Sequence, residues 1–97
     1  MLTPKQKRDL KGLASTLTTR YQVGKNDISA TLLDMLDKAL TARELIKIDV
    51  MKAVVNPVME IALDLSSKLN AEIVQVVGRV IVLYRYSKEN HKIKLRK

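Results

Sequence analysis

Arg20-Tyr21-Gln22-Val23-Gly24-Lys25-Asn26-Asp27-Ile28-Ser29 decides how this chain is read. Its first four residues alternate polar and apolar, the period of a half-buried strand. Ser29 is a good helix N-cap, and Ile28 before it with Leu33 after it can pack as a hydrophobic staple. A strand passing through a glycine loop into a helix is the first half of a β-α-β unit. The same arrangement can hold a phosphate, because N–H groups point outward at a helix start and the helix dipole adds positive charge. Lys25 supplies a full charge, and Asn26 offers an amide donor and tolerates a left-handed backbone. Asp27 opposes this by putting a carboxylate where an anion would sit. Taken alone, such a loop is more often a plain connection with good turn chemistry.

Upstream, Thr3, Pro4 and Gln6 form a capping-box pattern for a first helix. Leu10, Leu13, Ala14 and Leu17 give it one apolar stripe, and Lys5, Lys7, Arg8 and Lys11 project elsewhere. Gly12 costs this helix up to about 1 kcal/mol relative to Ala. Downstream, Leu32, Leu33, Leu36, Ala39 and Leu40 make the buried side of a second helix, with Asp34 and Lys38 paired outside. Glu44 to Val50 alternates cleanly as a strand, with Ile46, Ile48 and Val50 on one face. Asn56 as cap and Pro57 at the first position start a third helix whose stripe is Val58, Ile61, Ala62, Leu65 and Leu69. Asn70 suits a left-handed stop. Glu72 to Val77 and Val80 to Tyr86 form a hairpin across Gly78-Arg79, where glycine first suits a type II′ turn. The order is α-β-α-β-α-β-β. Each β-α-β step implies a parallel pair and the hairpin an antiparallel one, giving an α/β domain with a mixed four-stranded sheet packed against three helices.

Ninety-seven residues suffice for one domain with one core. The net charge of +8 is segregated. Residues 1–25 carry six Lys/Arg against one Asp, and residues 83–97 carry six against one Glu. The middle carries six cations against eight acids, so the positive excess sits at the ends and the glycine loop. Such segregation points to a polyanion partner more than to solubility alone. The chain has no cysteine, so it has no disulfide and lacks the commonest zinc ligand. No apolar run approaches the roughly 20 residues of a membrane span, and MLTPKQKRDL lacks the apolar core of a secretory signal. A cytoplasmic protein with no membrane partner is expected.

Chemistry-bearing constellations are missing. His91 is the single histidine and lies in the basic tail, and Asp34, Asp37, Glu60 and Asp64 fall at helix-surface spacing. No P-loop or dinucleotide fingerprint occurs. No enzyme, metal, cofactor or small-molecule substrate is expected. Tyr21, Tyr84 and Tyr86 are the only aromatic residues, too few for the paired stacking signature of an RNA-recognition motif, and they read as packing residues.

Four runs, TPKQKRDLKGLA, YQVGKNDIS, ELIKIDV and AEIVQVVGRVIVLYRYSKENHKIKL, together resemble the YhbY-type CRM domain (chloroplast RNA splicing and ribosome maturation). The resemblance covers nearly the whole chain in order. It implies a bacterial stand-alone domain, residues 1–97, whose fold is similar to the C-terminal domain of translation initiation factor three; the basic composition of residues 88–97 itself reads as a flexible tail. It also implies association with ribosomal RNA in precursors of the large ribosomal subunit. The family loop carries a G-x-x-G motif like that of KH domains, which clamp RNA backbone. Gly24, Lys25 and Asn26 match it, while Asp27 replaces the second glycine and either weakens the loop or fixes it by bonding the start of helix two.

The resulting expectation is a non-catalytic, monomeric RNA-binding protein that assists ribosome assembly. Its RNA contacts are Gly24, Lys25 and Asn26, extended by Lys5, Arg8 and Lys11, with Arg79 and Arg85 beside them. The alternative is a protein-interaction module whose basic surface meets an acidic ribosomal or regulatory partner.

Overall fold

In a computed structural model of the chain, residues 2–17, 20–24 and 29–88 are described. Seven elements follow in the expected order: α1 (Pro4–Ala14), β1 (Arg20–Val23), α2 (Ala30–Arg43), β2 (Leu45–Val50), α3 (Val58–Leu69), β3 (Glu72–Val77) and β4 (Val80–Tyr84). The local signals account for most of their ends. The Gln6 amide N–H donates to Thr3 Oγ1 at 3.1 Å, and Thr3 N–H donates back to Gln6 Oε1 at 3.0 Å. Ser29 Oγ accepts from Leu32 N–H at 3.1 Å. Asn70 stops α3 in the left-handed region, at φ 53 and ψ 43. Gly78 has φ 58 and Arg79 keeps a negative φ, as a type II′ turn demands. The staple partner Ile28 lies outside the described residues.

The strands form one sheet in the order β1-β2-β4-β3. β1 and β2 run parallel, with Val23 opposite Val50, while β4 pairs antiparallel with both β2 and β3. The second β-α-β step therefore corrects the expectation of two parallel pairs: β2 and β3 point the same way, but β4 lies between them. The reason is burial. Val80-Ile81-Val82-Leu83-Tyr84 is apolar on both faces, which suits a central strand, whereas β3 carries Glu72 and an exposed Val77 and suits an edge.

Helices lie on both faces of the sheet. Ile46, Ile48, Val50, Ile81 and Leu83 face α2 and α3, where Leu36, Leu40, Ile61 and Leu65 complete the larger core. Leu45, Val74, Val82 and Tyr84 face the opposite way and pack with Leu2, Leu10 and Ala14 at α1. Leu13, expected in that stripe, is exposed because it lies on the flank of the line joining Leu10 to Ala14. Tyr84 is buried and Tyr21 packs on the larger core, but Tyr86 is exposed.

Three boundaries differ from the sequence reading. Pro57, not Asn56, is the N-cap of α3, at φ −56 and ψ 140, and no side chain caps the helix. Proline at an extended ψ postpones the helix by one residue and moves Asn56 out of reach. Glu44 is not the first residue of β2. It ends α2 at φ 66, its side chain fully buried, and Glu44 Oε2 accepts from Ser87 N–H at 2.9 Å. That backbone departs from extended geometry, so the β2–β4 ladder closes at Leu45–Tyr84 and β4 stops there, short of Tyr86.

Removing the Glu44 carboxylate leaves the buried Ser87 N–H without this acceptor, so Glu44→Ala should lower stability by about 1–3 kcal/mol in urea unfolding. The Tyr84 phenol is pushed above its ordinary value by burial first, then by the negative charges of Glu44, Tyr86 and Glu72. The folded chain thus resists ionisation that the unfolded chain accepts at about pH 10, and stability should fall as pH rises from there through the raised value. Thermal melts of wild type and Tyr84→Phe between neutral and strongly alkaline pH should diverge only above that point, with the variant losing less.

Candidate nucleic-acid interface

Gly24 follows β1 at the C-terminal end of the parallel β1–β2 pair, and α2 begins at Ala30. Lys25 and Asn26, together with Asp27, lie outside the described residues. Gly24 has no positive φ, and a Cβ there would sit 3.6 Å from Met51 Sδ, an ordinary contact. Neither the backbone nor the packing demands glycine at this position. The first turn of α2 carries no acidic residue, so its dipole is uncompensated among the described residues.

The base on which Gly24 rests is laced together by backbone and one arginine. Met51 N–H donates to Val23 O at 3.0 Å, and Val50 N–H donates to Arg79 O at 2.8 Å. In return, Arg79 Nε donates to Val50 O at 2.8 Å and Arg79 Nη2 donates to Met51 O at 2.6 Å, with a longer bond to Val54 O at 3.4 Å. The planar guanidinium thus ties the hairpin turn to the segment after β2, which itself holds the end of β1. Arg79 is thus a brace between the hairpin turn and the segment that holds the end of β1.

Arg85 sits at the other end of the sheet, six residues and about 20 Å from Arg79 along β4. Its Nη1 donates to Asp37 Oδ1 at 2.7 Å and Leu69 O at 2.9 Å. Its Nη2 donates to Asp37 O and Thr41 Oγ1, each at 2.9 Å. With its side chain 20% exposed, Arg85 joins the C-terminal halves of α2 and α3 rather than standing beside Gly24. Lys5, Lys7, Arg8 and Lys11 are all exposed on α1, with no ion pair among the described residues. The structure thus leaves the helix-one cations outward and turns the two arginines of the hairpin and its exit inward.

One lysine escaped the sequence reading. Lys47, which reads there as the polar side of a strand, lies half-buried on the α1 face and has no polar partner among the described residues. Its alternation with Ile46 and Ile48 marked the face, but only the placement of α1 shows what that face adjoins. Among the described residues no group of three His, Cys, Asp or Glu side chains is arranged to hold a metal, and no helix is long and apolar enough to cross a membrane.

This is a small α/β domain with a basic helix and a glycine loop at a helix start, and comparison with known proteins places it in a family. The CRS1 / YhbY (CRM) domain model matches residues 2–85, and the chain belongs to that family. It is 41% identical over 95 residues to the probable RNA-binding protein YqeI of Bacillus subtilis, covering 98% of this chain and 99% of that one. A Haemophilus influenzae protein named as RNA-binding is 36% identical over 88 residues, covering 91% of this chain and 89% of its own length. Among solved structures, the solution structure of a hypothetical Staphylococcus aureus protein, described as a candidate for RNA binding, superposes with a TM-score of 0.82 at 43% identity. That superposition covers 99% of this chain and all of the other.

Replacing Arg79 tests the brace. Arg79→Ala should cost about 2 kcal/mol in urea unfolding, the scale of charge-assisted hydrogen bonds lost from a partly buried site. Arg79→Lys should recover only part of that, because one ammonium cannot reproduce the fork that reaches Val50 O and Met51 O together. Equal stability of all three proteins would remove Arg79 from this role.

Proposed function

We propose that this protein is a non-catalytic RNA-binding protein that works as a monomer in the cytoplasm. In this reading it binds ribosomal RNA in precursors of the large ribosomal subunit and assists their assembly. The observation that carries the reading is charge placement: four cations on the exposed face of α1 with no ion pair among the described residues, and a glycine loop leading into α2, in a chain of net charge +8. Relatives that match over nearly their full length bear RNA-binding names, which supports RNA as the polyanion. The backbone of Gly24, with Lys25 and Asn26, takes a phosphate, and Lys5, Arg8 and Lys11 extend the track. Arg79 serves by holding the loop's base, and Arg85 by joining α2 to α3. Residues 88–97, whose sequence is basic, add nonspecific attraction as a tail.

A protein contact has an observation of its own. Met59 and Leu63, one turn apart on α3, are half exposed, and Val55 before that helix is 95% exposed. These apolar residues lie away from α1 and suit a neighbouring protein more than a phosphate backbone.

Contacts of this kind follow salt. With about four phosphates neutralised on a single strand, log K should fall with log salt at a slope of about −3. Replacing Lys5, Arg8 and Lys11 together by Ala should flatten that slope by about 2. Lys25→Glu should weaken RNA binding while leaving the thermal melt unchanged. In sucrose gradients of cell extract, the protein should travel with large-subunit precursors at low salt and leave them at high salt. An affinity indifferent to salt, or sedimentation only as free protein at both salts, overturns the reading.

A further inference from the structure

The face of the sheet that carries α1 is only partly covered. Between the C-terminal half of α1 and the strands lies a groove of about 470 Å³, in the size range of small-molecule sites. Its floor is made by Val77, Val80 and Val82, and its polar side chains are Lys11, Lys47, Gln75 and Ser15, whose hydroxyl already donates to Gly12 O at 2.6 Å. The register orders these residues. Val82 lies opposite Lys47 on one side and Gln75 on the other, so one row across the sheet reads cation, aliphatic, amide. The next row sets Val77 and Val80 side by side, followed by Asp49, which already has an interaction within the protein and does not line the groove.

Gln75 reaches this face through an irregularity. The β3–β4 register slips between Ile73 and Gln75, so Val74 is the extra residue on β3. Val74 packs in the α1-side core, and Gln75, opposite Val82, lines the groove on that same side. Strict alternation would have turned Gln75 toward the larger core and Val76 outward. The bulge instead puts a carboxamide into the groove and returns Val76 to the apolar side. Neither Gln75 nor Lys47 has a polar partner among the described residues.

The geometry points to this groove as the seat of one unpaired nucleobase of a bound RNA. The base rests flat on the valine floor, Gln75 meets its edge, and the flanking phosphates lie on Lys11 and Lys47. Apolar floor, amide and two cations match the three parts of a nucleotide in turn. A carboxamide both donates and accepts, as a base edge requires, and an aliphatic floor removes a base face from water. Val77 and Val80 belong to the end of the sheet where Gly24 lies, and Lys11 continues the cations of α1. A strand leaving helix one thus crosses the groove on its way to the glycine loop. This inference rests on the RNA-binding reading and adds to it a site that recognises a base rather than the backbone.

The test is a methyl-resolved NMR titration of the full chain with a short single-stranded RNA of mixed adenine and uracil, and with an abasic strand of equal length. Ring currents from a seated base should shift the Val77, Val80 and Val82 methyl signals with the RNA and leave them unmoved with the abasic strand. Gln75→Ala should reduce affinity for the RNA about fivefold, the scale of one or two lost hydrogen bonds, without changing affinity for the abasic strand. Lys47→Met, which keeps the aliphatic stem, should weaken both strands alike. Saturable binding of both strands with still valine methyls overturns the groove and leaves the RNA reading standing, with the groove free for a protein side chain. Absence of binding to either strand removes both.

Discussion

One helix cannot cover one face of a four-stranded sheet. Four strands span roughly 19 Å across, while a helix with its side chains is about 10–12 Å wide. Two helices, α2 and α3, seal the larger core, and the remaining face has only α1. Leu10 and Ala14 cover Val74, Val82 and Tyr84, and the strip beyond them stays open toward Lys47, Val77 and Val80. The fold is therefore asymmetric by construction. One side is a closed hydrophobic core, and the other carries the basic helix beside a partly apolar groove.

The use of cations follows the same division. Arg79 and Arg85 spend their guanidinium donors on carbonyls, a hydroxyl and a carboxylate at opposite ends of the sheet. Loops at the two ends leave backbone carbonyls without ladder partners, and a planar fork satisfies several of them at once. Lysine lacks that fork and is strongly hydrated, and the lysines of α1 stay outside. Among the described residues the cations thus divide by geometry: Arg79 and Arg85 brace, and the lysines of α1 face solvent. Arg8 on α1 and Arg43 at the end of α2 are exceptions, arginines left exposed.

Local signals in the sequence accounted for the seven elements because each is a short-range effect. Thr3 with Gln6, Ser29, Asn70 and Gly78 act on backbone groups within a few residues of themselves, and the apolar periods at α2, β2 and α3 name their buried faces. Where a neighbour in space intervened, the sequence reading slipped. Pro57 took the cap from Asn56, Glu44 turned away to hold Ser87, and Leu13 fell on the flank of its helix. β4 is apolar on both faces, and its place between β2 and β3 departs from the parallel pair that the second β-α-β step implied.

The candidate site divides along the same line. By itself the sequence determined the element order, the basic helix and a glycine loop leading into a helix, since these depend on residue type and spacing alone. Only the tertiary structure decided that Arg79 and Arg85 face inward, that β4 separates β2 from β3, and that a bulge brings Gln75 level with Lys47. Those outcomes depend on which backbone groups and which strand faces meet across long stretches of chain, and no local pattern encodes such meetings.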